Sequence, residues 1–299
     1  MSVNDELGTR MKEYYEIPPR SKLTRRTPVI IRVDGKAFHT FTRGFRRPFD
    51  SVLVRVMQET TKYLCENIQG CVLGYVQSDE ISLLLTDYKR HTSSAWFDYD
   101  VMKLCSISAS MATNHFNKLF RQLSYIEIDN EGEKFYQKTF GKSENELTLA
   151  ELDSIDPNCD YYKLARAYDK ANFCGAMFDS RCFNIPKEEV TNYFYWRQLD
   201  ATRNSIEMAG HANFSQKQLH KKSCNDIQEM LYEQKGINWN DYTVPEKRGT
   251  CCIKVQKEAT NDNGRIYTRS EWIIDYNIPI FVGEGREYVE SRFMNIEED

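Results

Sequence analysis

The chain has 299 residues, 40% of them hydrophobic and 28% charged, and a formal net charge of −4. This length allows one large domain or a domain with an appendage, and the composition is that of an ordinary globular protein. No apolar run approaches the ~20 residues of a membrane-spanning helix. Residues 1–12 are polar and carry acids, unlike a signal or transit peptide. We therefore expect a cytoplasmic protein with no membrane partner.

The first half of the chain predicts strands and helices in alternation. The β-branched run before Asp34-Gly35 is typical of a buried strand that ends in a turn. Asp50 is a candidate N-cap for the helix that follows it. In chain order, the predicted elements are a polar arm over residues 1–27, a strand over 29–33, a helix over 51–67, a hairpin of strands 71–76 and 81–85, and a helix over 98–123.

The second half begins with a segment that breaks this pattern. Residues 124–172 are acidic and rich in turn residues, and we interpret them as an insertion with a short helix at 149–153. The elements predicted after it are a strand over 177–185, a helix from Lys187 past Arg203, a helix opened by the Ser215-x-x-Gln218 capping box and ended by Gly236, and strands over 251–256, 267–274 and 278–282.

The order of these elements predicts an α+β fold with helices packed on one face of an antiparallel sheet. The β-α-β-β-α-β succession matches the ferredoxin-like, split βαβ motif. We assign residues 1–205 to a catalytic domain with the insertion at about 124–172. Residues 206–299 form a C-terminal helical and strand extension that we expect to pack on it.

Three acidic residues fall at predicted strand ends. Asp34 follows the first strand, and Asp79 and Glu80 lie at the tip of the hairpin. If the first strand pairs beside the hairpin, these carboxylates meet at one edge of the sheet. Carboxylates at rigid strand ends suit Mg²⁺, and a pair of ions can serve phosphoryl transfer. On spacing alone, two ordinary turns explain the same residues about equally well.

The residues around these acids favour nucleotide chemistry. Gly35 lets the backbone come close to a phosphate or a metal ion. Phe38 or Phe45 could stack on a base, or Phe38 could belong to the core. Four basic residues could neutralise a triphosphate: Lys36, Arg46, Arg47 and Lys103.

Basic residues are also segregated along the chain. They concentrate in residues 20–47, which include Arg25 and Arg26, and again at Lys217, Lys221 and Lys222. Residues 127–160 are mostly acidic. Such segregation suits a protein that docks a polyanion on one face, although charge runs alone more often mark a solvated surface.

Five blocks in the right order resemble the tRNA-histidine guanylyltransferase family. The first, RVDGKAFH at 32–39, resembles its R-[IVL]-D-G-x-x-F-H block. The others are QSDEIS at 77–82, FDSR at 178–181, YFYWRQLD at 193–200 and RGT at 248–250. Together they span about residues 9–256 outside the insertion and are far more specific than any single block.

The resemblance implies a fold like the polymerase palm and extension of RNA in the 3′-to-5′ direction. It implies that Asp34 and Asp79 hold two Mg²⁺ with the Gly35 carbonyl, and that Glu80 supports this catalytic site. The nucleotide, ATP, GTP or another triphosphate, would contact Lys36, Ala37, Phe38, His39, Phe45, Arg47, Asp50, Ser78 and Lys103. Transfer RNA would contact Arg25, Arg26, Arg197, Asn204, Lys221 and Lys222. The family also implies a homotetramer built as a dimer of dimers.

One position departs from the histidine-specific enzymes. Thr202 stands where those enzymes have a histidine linked to anticodon reading, whereas Asn204 is retained. The local pattern resembles the bacterial and archaeal guanylyltransferase-like subgroup, which is associated with template-dependent repair of tRNA 5′ ends. We therefore expect a repair enzyme, with a dedicated histidine-tRNA guanylyltransferase as the alternative. A nucleotide cyclase and a non-enzymatic RNA-binding module are less consistent with the blocks and the intact acids.

Overall fold

An antiparallel sheet forms the centre of the protein in the computed structural model, which describes residues 4–260 and 266–294. Its strands are β1 (Val29–Gly35), β2 (Cys71–Gln77), β3 (Glu80–Leu85), β4 (Phe178–Asn184), β5 (Thr250–Thr260) and β6 (Ile266–Asp275). They lie in the order β4-β1-β3-β2-β5-β6, with every neighbouring pair antiparallel. The predicted β-α-β-β-α-β succession is confirmed for the first four strands, and β5 and β6 extend the same sheet.

Eleven α-helices surround the sheet within the described residues. They are α1 (Asn4–Met11), α2 (Phe38–Phe41), α3 (Ser51–Asn67), α4 (Val101–Phe140), α5 (Leu149–Asp153), α6 (Asp160–Cys174), α7 (Lys187–Asn213), α8 (Gln216–Leu219), α9 (Cys224–Lys235), α10 (Val244–Arg248) and α11 (Arg286–Phe293). None of the described helices is long and apolar enough to cross a membrane.

Helices cover both faces of the sheet, so the prediction that they occupy one face is wrong. Ile31 and Val33 of β1 point into a core with α3, α4 and α6. Ile30 points the other way, into a second core with α7 and α11. The cause is visible in β3, whose six residues are all buried. A strand buried on both faces has no apolar alternation from which a single packed face could be deduced.

Residues 124–172 are more ordered than their composition indicates. The predicted helix does not end near residue 123, because α4 continues for 40 residues to Phe140. The short helix at 149–153 is confirmed, and α6 follows it without having been predicted. Leu164, Tyr168 and Ala171 of α6 are buried in the main core. The segment therefore packs directly on the sheet's helical layer.

The C-terminal elements also differ from the prediction. The Ser215 capping box opens only the four-residue α8, and α9 has its own box at Ser223 before it ends at Gly236. Residues 278–282 form no strand. Pro279 has no N–H to give to a ladder. Instead the Gln198 side chain donates to the Pro279 carbonyl at 2.9 Å and accepts from the Phe281 N–H at 3.0 Å.

Candidate active site

The predicted acids meet at one end of the sheet. In the β1–β3 register, Asp34 lies opposite Glu80, and Asp79 occupies the turn just before β3. The Gly35 N–H donates to the Asp79 carbonyl at 3.1 Å, which ties the end of β1 to the hairpin turn. The strand pairing on which the predicted convergence depended is therefore confirmed.

Two backbone features set the geometry of this corner. Ser78 has a positive φ of 49°, and its hydroxyl donates to the Asp79 carboxylate at 3.0 Å. A Cβ at Gly35 would lie 2.3 Å from the Phe38 ring. That ring is 5% exposed and held against Phe116 and Phe178, so it has no room to retreat. Glycine is required at 35 because the chain turns tightly over a packed ring.

The three carboxylates differ electrostatically. Burial raises the pKa of the Asp79 carboxyl, and the nearby Asp34 charge raises it further, against the lowering effect of the Ser78 hydroxyl. Burial also raises the pKa of Glu80, while the Arg197 guanidinium opposes the shift. Asp34 is more open, with a side chain 40% exposed and Arg181 at 4.0 Å. Among the described residues, Asp79 has no ion pair and Asp34 has only the long contact with Arg181, so their negative charge is less compensated than that of Glu80.

This donor set fits a Mg²⁺ ion better than a fully protein-enclosed metal. No group of three or more His, Cys, Asp or Glu side chains suited to a metal gathers among the described residues. Glu80 is engaged by Arg197 at 2.7 Å, which leaves Asp34 and Asp79 as available ligands. Mg²⁺ commonly binds one or two carboxylates and takes its other ligands from water and substrate phosphates.

A cleft of about 730 Å³ opens beside these two acids. It has the size of a small-molecule binding site. Eleven of the predicted site residues line it: Asp34, Gly35, Ala37, Phe38, His39, Phe45, Arg46, Arg47, Asp50, Ser78 and Asp79. Met208 and His211 of α7 line it as well. Sequence reasoning missed these two because they lie about half the chain away from Asp34 and belong to no recognised block.

The two phenylalanines proposed for base stacking are buried. Phe38 packs against Phe41, Phe116 and Phe178, as the core alternative required. Phe45 stacks on Phe120 at 5.6 Å and meets the Tyr168 ring edge-on at 4.9 Å. Both rings therefore form part of the cleft wall, and their faces are in contact with other aromatic side chains.

Several predicted residues lie away from the cleft lining. Lys36 is exposed, and its N–H donates to the Met177 carbonyl at 2.8 Å. Lys103 lies in the first turn of α4, with its ammonium 5.6 Å from the Phe97 ring centre. Arg25 donates to Asp87 at 2.6 Å, beyond the far end of β3 from Glu80. Arg25 and the neighbouring Arg26 thus lie at the opposite end of the sheet from Asp79.

Arg197 requires a correction. We expected it to contact RNA, but it is 6% exposed. Its guanidinium donates to Glu80 and to Asp200, both at 2.7 Å. The Trp196 ring covers it at 4.4 Å. The block that contains Arg197 places it behind the carboxylates, where it balances the buried charge of Glu80.

The other predicted tRNA contacts lie on or beyond α7. Asn204 is half-buried, and its amide donates to Asp200 at 3.5 Å. Lys221 and Lys222 are exposed in the connection between α8 and α9.

Two further charged residues join the site from β4. Asp179 lies opposite Asp34 in the β1–β4 register, and Arg181 donates to Asp179 at 2.9 Å. That hydrogen bond raises the pKa of the Arg181 guanidinium. Both residues belong to the block at 178–181, but only the strand pairing reveals that they face Asp34.

Comparison with known proteins agrees with this geometry. The model of the tRNAHis guanylyltransferase family matches residues 8–186. The chain is 38% identical to a bacterial tRNA(His) guanylyltransferase-like protein solved in complex with ATP, over 95% of this chain and 97% of that one, with a TM-score of 0.69. A structure of such a bacterial protein in complex with GTP matches at 37% identity over 96% of this chain and 98% of that one, with a TM-score of 0.68. A curated tRNA(His) guanylyltransferase of Debaryomyces hansenii is 25% identical over 76% of this chain and 74% of its own length.

Proposed function

The chain belongs to the tRNAHis guanylyltransferase family, and from this premise we propose that it repairs tRNA by adding nucleotides to the 5′ end in the 3′-to-5′ direction. As a member it is a nucleotidyltransferase that acts on tRNA. The observation that carries the proposed chemistry is the convergence of Asp34 and Asp79 on one side of a nucleotide-sized cleft. The central sheet and its crossovers, β1 through β4, fit a polymerase-palm-like core.

The proposed reaction has two steps. A 5′-phosphate oxygen of the tRNA attacks the α-phosphorus of ATP, which gives an adenylylated end and releases pyrophosphate. The 3′-hydroxyl of an incoming nucleotide then attacks the activated 5′ phosphorus, and AMP leaves as the new phosphodiester forms. A tRNA that already carries a 5′-triphosphate needs no activation, because pyrophosphate is then the leaving group.

The protein's part in these steps is to bind, orient and balance charge. Arg47 is exposed on the cleft wall and can pair with triphosphate oxygens. Asp34, Asp79 and the Gly35 carbonyl would hold Mg²⁺. Bound there, Mg²⁺ would neutralise phosphate charge and acidify the attacking hydroxyl. Glu80, fixed by Arg197, keeps the adjoining strand end rigid.

Thr202 favours repair over dedicated addition of G at position −1 of histidine tRNA. It occupies the place of the histidine tied to anticodon reading, so we expect selection at the acceptor end, with the opposite strand as template. The retained Asn204 and the family's name keep histidine-specific guanylyl transfer as the alternative. We further expect a dimer-of-dimers homotetramer.

The chemistry is tested with a tRNA that lacks its first 5′ nucleotide, incubated with ATP, GTP and Mg²⁺. Asp34→Ala and Asp79→Ala should each slow single-turnover addition by roughly a thousandfold, since several kcal/mol of charge stabilisation are lost. The control Glu287→Ala removes an exposed acid of α11 and should add nucleotides at the wild-type rate. Near-normal addition by the Asp79 variant would refute the metal assignment.

A further inference from the structure

The chain between α2 and α3 forms one wall of the cleft. We call residues 42–50 the cleft loop; Phe45, Arg47 and Asp50 are among its lining residues. Apart from its turns the loop has no regular secondary structure. A loop of this kind loses conformational entropy when it binds a ligand, unless other contacts already hold it in place.

Asp50 ties the middle of the cleft loop to the first turn of α3. Its buried carboxylate accepts from the Arg46 N–H at 3.2 Å and from the Leu53 N–H at 3.0 Å. The Tyr168 hydroxyl of α6 lies 3.0 and 2.8 Å from its two oxygens. Among the hydrogen bonds of the described residues, Tyr168 is the side-chain donor that reaches this carboxylate from outside the loop.

Tyr168 is itself rigidly placed. It has no exposed surface, and its ring packs edge-on against Phe45 at 4.9 Å and Phe120 at 5.7 Å. Burial, followed by the Asp50 charge, raises the pKa of the phenol well above its ordinary value. The hydroxyl therefore stays protonated and remains a donor to Asp50.

Two more contacts join the same part of the chain to the cleft loop. Arg46 pairs with Glu127 at 2.6 Å and with Glu131 at 3.3 Å, both on the C-terminal half of α4. Gly44 has a positive φ of 95°, and a Cβ there would lie 2.9 Å from the Ala167 side chain of α6. The segment 124–172 thus touches the loop at Gly44, Phe45, Arg46 and Asp50.

We propose that the segment 124–172 is a brace for the cleft loop, and that Tyr168 and Glu127 are positioning residues for nucleotide binding. The proposal rests on the proposed function only in taking the cleft as the nucleotide site. If the loop adopts its binding conformation for only a fraction of the time, the apparent Kd for the ligand equals the intrinsic Kd divided by that fraction. Contacts that hold the loop in that conformation before binding therefore lower the apparent Kd. The acidic segment thereby acts on the site without touching the substrate.

Tyr168→Phe removes the hydroxyl and keeps the ring. We expect the equilibrium Kd for GTP, measured by calorimetry with Mg²⁺ and no tRNA, to rise about tenfold, as for a lost hydrogen bond to a charged group. The kcat at saturating nucleotide should stay within about twofold of the wild type. Hydrogen exchange at the Arg46 and Leu53 amides should accelerate, because both donate to Asp50.

Tyr136→Phe is the matched control. Tyr136 is a buried tyrosine of the same segment, and its ring packs against Phe135 and Tyr161 rather than against the cleft loop. Tyr136→Phe should lower Tm by about as much as Tyr168→Phe does, and it should leave the Kd for GTP unchanged. Equal Kd values for the wild type and Tyr168→Phe, or equal losses in both variants, would overturn the brace.

A second pair of variants avoids the core in case Tyr168→Phe fails to fold. Glu127→Gln should raise the Kd for GTP about two- to fivefold, on the scale of one partly exposed ion pair. Glu133→Gln, an exposed acid of the same helix, should have no effect. No change in Glu127→Gln would count against the brace. Because GTP binding is measured without tRNA, a failure of the brace is distinguishable from a wild type that binds GTP but adds nothing to tRNA.

Discussion

Three neighbouring carboxylates in this protein have three different environments. Asp34 is open to the cleft, Asp79 is partly buried beside it, and Glu80 is buried against Arg197. The same side-chain chemistry is therefore divided between two acids whose charge is weakly compensated and one whose charge is balanced by Arg197 inside the protein. This division explains why Asp34 and Asp79 are suited to bind a metal ion, whereas Glu80 is suited to hold the adjoining strand end in place.

The raised pKa of Asp79 makes a prediction about stability. A group whose pKa is higher in the folded state favours folding when protonated, and that contribution is lost as the pH rises through the folded pKa. Asp79→Asn is neutral at every pH, so its Tm at pH 7 should equal or exceed that of the wild type. The same variant should abolish nucleotide addition, because it removes a proposed Mg²⁺ ligand. The Tm difference should shrink as the pH falls toward the ordinary range of a carboxyl, because wild-type Asp79 then becomes neutral. Thermal unfolding from pH 4 to pH 8 measures this, with the more exposed Asp34→Asn as control. A clear loss of Tm at pH 7 in Asp79→Asn would contradict the account.

Turn signals placed Asp34, Asp79 and Glu80 at predicted strand ends, but the neighbouring residues and the family resemblance were needed to single them out. The role of Arg197 was wrong because a sequence block does not show burial. Arginine beside tryptophan is as compatible with an exposed RNA contact as with a covered ion pair. The difference arises only when α7 packs on the sheet and brings Arg197 against Glu80.

At the scale of elements, α7 connects the sheet to the cleft. One face of α7 is formed by residues that are spaced three or four positions apart. These residues are Tyr193, Arg197, Asp200, Asn204, Met208 and His211. Tyr193 meets the Ser82 hydroxyl at 2.8 Å, Arg197 meets Glu80, and the last two line the cleft. One helix thus supports the carboxylates and completes the site wall.

The Glu80–Arg197 pair should therefore be costly to break. The two side chains are 9% and 8% exposed, and Arg32 is 4.0 Å from Glu80. Arg197→Met should lower the free energy of unfolding by about 3–5 kcal/mol, because Glu80 is left buried without its main partner. The double variant Glu80→Gln with Arg197→Met should recover part of that loss. Urea unfolding measures both. A cost below about 1 kcal/mol for Arg197→Met would place the pair among weak surface bridges.

The strands were largely predictable because their apolar runs are short and end in glycine or acidic turns. The continuation of α4 and the whole of α6 were not, because the segment 124–172 contains many acidic and turn-forming residues. Its few core positions, such as Leu164, Tyr168 and Ala171, do not stand out in the sequence. The register that places Asp179 opposite Asp34 could not be predicted either, because a single sequence does not show how an edge strand pairs with its neighbour.

At the scale of the molecule, the proposed active-site acids all lie at one end of the sheet. The end of β1 and the starts of β3 and β4 converge beside the cleft, while Arg25 and Asp87 lie at the far end. Arg25 and Arg26 are therefore separated from the acids by the length of a strand. If these arginines contact tRNA as we propose, that contact lies on a surface distinct from the proposed site of phosphoryl transfer.

We propose that this enzyme selects a damaged acceptor end and copies the opposite strand. The most direct test compares kcat/KM for tRNAs that lack the first 5′ nucleotide, with the missing base varied, against full-length histidine tRNA. We predict that each truncated tRNA receives the complementary base whatever its anticodon, and that full-length histidine tRNA is the poorer substrate. Addition limited to G and dependent on the histidine anticodon would contradict the repair function and establish the dedicated guanylyltransferase in its place.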